Sequence, residues 1–236
     1  MSGNVFEYSC FISYRYGQGG QIREFIDQLK AALENRLGLL GINLGVFVDT
    51  ERLKPSYSVN PGLAEAICKS LTMVVVYNSN YFDWNHRFCA KEFCAMLELE
   101  KARLRAEHIP KKHNLIIPVL LKYSDRSDIP SEILERNPCN LGHIFSNPEE
   151  YDKILARQKK YNRKGQWFPT PMELHPRSLE EIDKIAGIIS DTYKILTPQG
   201  KELCADCGCF DFPGDDVIDE LLKKTVRAPV YIFGKS

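Results

Sequence analysis

The sequence predicts an α/β domain built on a mainly parallel sheet. Short apolar segments alternate with longer ones of helical periodicity from Val5 to about residue 196. One short segment, Leu71 to Tyr77 (LTMVVVY), is apolar throughout, as a strand covered on both faces must be. Composition agrees. Of 236 residues, 44% are hydrophobic and 26% charged, which excludes global disorder and a low-complexity chain.

The elements follow in order. Val5 to Tyr14 (VFEYSCFISY) reads as a buried first strand, aromatic and branched at its centre. A glycine-containing turn leads to a helix from about Gln21 to Leu37. Its apolar positions Ile22, Phe25, Ile26, Leu29, Ala32 and Leu33 recur at helical spacing, opposite Arg23, Asp27, Lys30 and Glu34. Gly38 suits its C-terminal stop. Ile42 to Val48 is a second strand ending at Asp49, and Asp49 to Gly62 is a long polar loop with Pro55 and Pro61. A short helix, Leu63 to Ser70, precedes the third strand, Leu71 to Tyr77.

After a loop from Asn78 to Asn85, a helix from about Arg87 to Arg105 uses Phe88, Cys89, Phe93, Met96, Leu97 and Leu104 as its apolar face. Leu115 to Leu121 is a fourth strand and Leu141 to Phe145 a short fifth. A last helix runs from Ser178 to about Leu196, where Ser178 and Glu181 fit a capping box. The domain is thus expected over 1–197, with a C-terminal extension over 198–236 packed on it. Ligands of such sheets bind beyond the carboxyl ends of the strands, the edge carrying the loops after Tyr14, Val48 and Tyr77.

Charge and targeting narrow the class. Thirty-one basic and 31 acidic residues cancel, so no whole-chain field favours nucleic acid or an anionic membrane. No apolar run reaches the roughly 18–20 residues that span a bilayer, and the N-terminus lacks a secretory pattern. The protein reads as cytoplasmic, with no membrane or nucleic-acid partner and its eight cysteines reduced.

Five segments in order carry a resemblance. They are FISY at 11–14, VFVD at 46–49 followed by ERLKPSYSVNPG, AICKS at 66–70, MVVVYNSNY at 73–81 and FCAKE at 88–92. Together they resemble a Toll/interleukin-1 receptor (TIR) domain, closer to the bacterial type, such as the standalone Thoeris-like enzymes of antiphage defence. Phe88 stands where the family's Trp-Cys-x-x-Glu motif has Trp. The resemblance implies a flavodoxin-like fold: a central, mainly parallel five-stranded sheet with helices on both faces. It also implies an activity of many members, cleavage of NAD at the nicotinamide–ribose bond, with NAD as substrate and no cofactor or metal. Members differ in making ADP-ribose or a cyclic or conjugated signal, and others only assemble with partner TIR domains.

The residues fit that chemistry as follows. Nicotinamide leaves NAD as a neutral molecule, so no general acid is required, and one carboxylate can stabilise the oxocarbenium-like ribose. Glu92 is the candidate, with Phe88 one helical turn before it as a stacking or core residue. The plain alternative for Glu92 is a solvated glutamate near a helix N-terminus. Ser13, Tyr14 and Arg15 end the first strand. Arg15 matches a pyrophosphate or is an ordinary surface arginine. Asp49 faces the pocket or caps the loop after it. Tyr81 and Trp84 are pocket walls or subunit contacts. Ser79 is a family-like small polar position or a turn residue.

The Asp49–Gly62 loop corresponds to the family's BB loop, which implies self-association that gates the site. Tyr57 is its most conspicuous residue, or mere loop packing. With no sensor domain recognisable, the expected layout is an enzyme whose product is read by a separate effector protein. The rival expectations are a non-catalytic interaction module and an enzyme of free nucleosides or nucleotides.

Two further patterns are discounted. Cys204, Cys207 and Cys209 have metal-like spacing, but structural zinc wants four ligands, for which His175 or Cys139 would have to serve. The basic run Lys153, Arg157, Lys159, Lys160, Arg163 and Lys164, beside Tyr161 and Trp167, reads as a solvated face.

Overall fold

A computed structural model describes residues 6–15, 20–49, 61–105, 113–121, 129–146, 176–199 and 210–226. In chain order, the described elements are β1 (Tyr8–Tyr14), α1 (Gly20–Leu39), β2 (Gly45–Val48), α2 (Pro61–Cys68), β3 (Ser70–Tyr77) and α3 (Phe88–Arg103). They continue with β4 (Ile116–Leu120), α4 (Ser131–Leu134), β5 (Cys139–Asn140), α5 (His143–Ser146), α6 (Pro176–Leu196) and α7 (Asp215–Thr225). A short 3-10 turn, Thr197–Gln199, ends α6.

The strands form one five-stranded sheet in the order β2-β1-β3-β4-β5. Every pairing is parallel, with Phe11 opposite both Phe47 and Met73 and Val75 opposite Pro118. This is the flavodoxin-like order, and the chain reverses its direction of winding between β1 and β3. All eight residues of β3 are buried. That is why its sequence shows no alternation: both of its faces lie under helices.

Alternation along β1 sorts the two cores. Cys10, Ile12 and Tyr14 pack with Val74, Val76, Ile117 and Val119 beneath α1 and α6. Phe11 packs with Met73, Val75 and Tyr77 beneath α2, α3 and α7. Helix α3 is covered over most of its circumference, including Cys89, Ala90, Glu92, Phe93, Cys94, Ala95, Met96 and Leu99. Its far end is pinned by Arg103, which is buried, donates to the carbonyls of Ser70 (2.8 Å) and Cys68, and lies over the Phe6 ring.

Three expectations require correction. The fifth strand is Cys139–Asn140, not Leu141 to Phe145. Asn140 Oδ1 accepts the Gly142 N–H at 2.9 Å, an Asx turn that ends the strand and starts α5. The capping box of the long helix is absent, because the helix already begins at Pro176. Ser178 instead shares a 2.8 Å hydrogen bond with His143 Nε2, while Glu181 accepts from the Asn140 N–H. Finally, not every cysteine is reduced. Cys10, Cys89, Cys94 and Cys139 are buried free thiols, but Cys68 is disulfide-bonded.

The polar loop from Thr50 to Asn60 with Tyr57, the basic run, and Cys204, Cys207 and Cys209 also lie outside the described residues. No described helix is long and apolar enough to cross a membrane.

Candidate functional site

The site is assembled where β1 and β3 end, at the point where the winding reverses. Ser13, next to last in β1, is opposite Val75 of β3. The alternation that puts Phe11 under α3 does the same for Ser13. Helix α3 brings Glu92 to the same place from the other side.

These groups form a chain of hydrogen bonds. The Ser13 hydroxyl donates to Glu92 Oε2 at 2.6 Å. Ser13 Oγ also lies 2.6 Å from the Tyr81 hydroxyl. A serine hydroxyl has a single proton and here gives it to the carboxylate, so Tyr81 donates to Ser13. The order is therefore Tyr81 to Ser13 to Glu92. All three side chains are inside the protein: Glu92 and Tyr81 are 0% exposed and Ser13 1%. Hydrogen bonds enclosed away from water act through a lower effective dielectric than exposed ones.

The Tyr81 ring is fixed by packing. Its centroid lies 4.9 Å from Phe82, edge-on, and 6.1 Å from Tyr77. Phe82 in turn meets Phe93 of α3 at 5.3 Å, edge-on. Two rings thus tie the loop after β3 to the helix that carries Glu92, which fixes where the tyrosine hydroxyl can point.

Arg15 holds the same loop from outside. Its Nη1 donates to the Asn80 carbonyl at 2.8 Å and to Asp83 Oδ2 at 2.7 Å. Burial pushes the Asp83 carboxyl up, but the Asn85 N–H and the Arg15 guanidinium more than offset it and hold it below its ordinary value. Arg15 is thus an anchor of the loop that carries Tyr81 and Trp84. Asn78 tightens the loop's start, its side chain accepting from the Asn80 N–H at 2.9 Å and its carbonyl from the Tyr81 N–H at 2.9 Å.

The remaining predicted residues are distributed around this cluster. Tyr14 is buried, but in the opposite core, under α1 and α6. Asp49 follows β2 directly and is half-buried. Ser79 is exposed in the turn. Trp84 and Phe88, at 41% and 44% exposure, are the large apolar side chains presented to solvent near the start of α3. Phe88 and Glu92 are one turn apart, yet one is exposed and the other enclosed. The structure therefore brings Ser13, Tyr81 and Glu92 into contact, with Arg15 supporting them, and leaves Tyr14 on the other side of the sheet.

Sequence reasoning missed the partners Asn80 and Asp83, because a hydrogen bond across 65 residues and an ion pair across 68 leave no periodic trace. It also missed Arg87, which precedes α3 and bonds to Asp219 of α7. Among the described residues, no group of three or more His, Cys, Asp or Glu side chains is arranged to hold a metal.

The model of the TIR-domain family matches residues 10–155, a stretch that contains Ser13, Tyr81 and Glu92 but neither α6 nor α7. Among solved structures, the TIR domains of the activated Roq1 resistosome directly recognizing the pathogen effector XopQ are 20% identical. That similarity covers 92% of this chain and 98% of that one, with a TM-score of 0.35. No curated protein matches the chain.

Proposed function

The chain belongs to the TIR-domain family, and from that premise we propose that it cleaves NAD at the nicotinamide–ribose bond, with Glu92 as the catalytic carboxylate. The observation that carries this reading is the relay from Tyr81 through Ser13 to Glu92, at the end of the sheet where ligands of such folds bind.

The chemistry needs little from the protein. The bond that breaks joins ribose C1′ to a pyridinium nitrogen, and its electron pair leaves with nicotinamide. No proton donor is required at the leaving group. Positive charge develops on the ribose, and a fixed carboxylate stabilises it more in the transition state than in the substrate. Ser13 holds that carboxylate by one oxygen, and Tyr81 holds Ser13. In the enclosed site the charge acts through a lower dielectric than water. Because Glu92 is fully buried here, the ribose reaches it only after the covering side chains move. Water attacking C1′ gives ADP-ribose; another acceptor gives a cyclic or conjugated product. The motif pattern nearest the bacterial type supports a role in antiphage immunity, with self-association of TIR domains governing activity and a separate protein reading the product.

A second reading is a non-catalytic interaction module. The full burial of Glu92 and the exposure of Trp84 and Phe88 favour it. One experiment separates the two. Purified protein at high concentration is given NAD, nicotinamide mononucleotide and free nucleosides, and products are resolved by chromatography and mass spectrometry. Nicotinamide released from NAD supports the enzyme. Release of a base only from nucleosides identifies a different N-ribosyl enzyme, and no turnover by folded protein supports the interaction module.

A further inference from the structure

The last described helix touches the helix that carries Glu92. Ile218, Leu221, Leu222 and Thr225 of α7 fall at i, i+3, i+4 and i+7, and all four are buried. The leucines and Ile218 join the core that includes Phe93 and Met96 of α3. The acidic first turn of α7 complements its own dipole, but it is also aimed. Asp219 pairs with Arg87, whose Nη2 donates to the Asp215 carbonyl at 3.1 Å and lies 3.6 Å from its carboxylate. Lys91 Nζ is 3.5 Å from the same carboxylate.

The two basic residues bracket the functional turn. Arg87 directly precedes Phe88, and Lys91 directly precedes Glu92. Arg87 is also the N-cap position of α3, and no side-chain hydrogen bond caps the helix there. Helix α7 holds this start through those ion pairs, and it lies beyond the stretch shared with the family.

We propose that α7 is a clamp that positions the first turn of α3, making Arg87 a positioning residue for Glu92 and giving the C-terminal extension a role in the site. The clamp itself rests on the contacts above; its link to turnover rests on the reading of Glu92 as the catalytic carboxylate. The apolar contacts keep α7 docked, and the ion pairs set where the start of α3 sits. Those pairs are partly exposed, so salt weakens them.

The test uses the full chain with Asp219→Lys, Arg87→Glu and the double swap. Glu is chosen at 87 because Asp there would add a cap of its own. The first readout is hydrogen exchange at the amides of residues 91–93, the first being the Lys91 N–H that bonds to the Arg87 carbonyl at 2.9 Å. Loss of exposed pairs predicts exchange about two- to fivefold faster in each single variant. The swap should restore protection, and 0.5 M salt should move the wild type toward the single variants. The second readout is NAD turnover, where kcat should fall by a similar factor with KM changing less. Unchanged exchange in Asp219→Lys, or a swap that restores nothing, overturns the clamp. Faster exchange with unaltered kcat overturns its link to the site. Exchange that responds as expected in a protein without any NAD turnover supports the clamp and refutes the NAD reading instead.

Discussion

Tyr81→Phe removes one oxygen from the relay and nothing else. The ring keeps its contacts with Phe82 and Tyr77, and the 2.6 Å bond to Ser13 is lost. A buried neutral hydrogen bond contributes about 0.5–1.5 kcal/mol net, so the expected loss of stability is about 1 kcal/mol. Ser13→Ala is harsher. It takes the 2.6 Å donor from a buried carboxylate and leaves the Tyr81 hydroxyl with no serine to meet, a loss of about 2–3 kcal/mol. Once Ser13 is alanine, the bond that Tyr81→Phe removes is already gone, so deleting the hydroxyl as well should cost little. The double variant should therefore lie near Ser13→Ala alone, with an interaction energy of about −1 kcal/mol. Urea unfolding of the four proteins measures this through the midpoint, and a constant slope shows that only stability has changed. Two losses that add within about 0.3 kcal/mol would mean that the hydroxyls act independently, and the relay would be refuted.

Other consequences follow from the same geometry. Glu100 accepts from the Leu115 N–H at 2.6 Å and holds Arg136 through two bonds of 2.8 and 2.9 Å, so it fastens the start of β4 to α3. Glu100→Gln should cost about 2–3 kcal/mol and lower Tm by about 5–10 °C in calorimetry; a shift under about 1 °C would refute this role. Arg103→Met keeps the apolar stem but removes the guanidinium that donates to the Ser70 and Cys68 carbonyls. It should cost about 2–4 kcal/mol in the same assay, and a neutral result would contradict the account. Burial pushes the thiols of Cys10 and Cys139 up to about 12 and that of Cys94 to about 11. These thiols titrate higher folded than unfolded, so the native state binds more protons above about pH 9 and its stability falls as pH rises through that range. At pH 8 they should resist iodoacetamide until the protein unfolds. Peptide mapping without reductant should recover Cys68 cross-linked.

Much of this fold is written locally. The unbroken run LTMVVVY announces a central strand because both faces of β3 are covered. The amphipathic spacing of Phe25, Ile26, Leu29 and Leu33 marks α1 because one side of that helix meets the sheet. The motif around Glu92 and the place of Ser13 at the end of β1 singled out two residues that the fold brings into contact. What the sequence hid is what depends on distant partners. Apolar residues in Leu141 to Phe145 suggested a strand, but the Asn140 side chain turns the chain at Gly142. Ser178 has the right neighbour for a cap, yet its hydroxyl is taken by His143, 35 residues away. Tyr14 adjoins Ser13 and still points into the other core, because successive side chains of a strand face opposite ways. Arg15 reads in the sequence as a pyrophosphate ligand or an ordinary surface arginine, and in the fold it pairs with Asp83.

The central claim is that Glu92 acts on NAD. Nicotinamide release by the wild type and by Glu92→Gln, compared at equal concentration and with matched thermal unfolding, tests it most directly. Gln keeps the shape and an acceptor for the Ser13 hydroxyl while removing the negative charge. Steady release by the wild type is expected, with a loss of about 100-fold or more in the variant, the scale of a removed electrostatic stabiliser. A variant that turns over NAD within a few-fold of the wild type would contradict it.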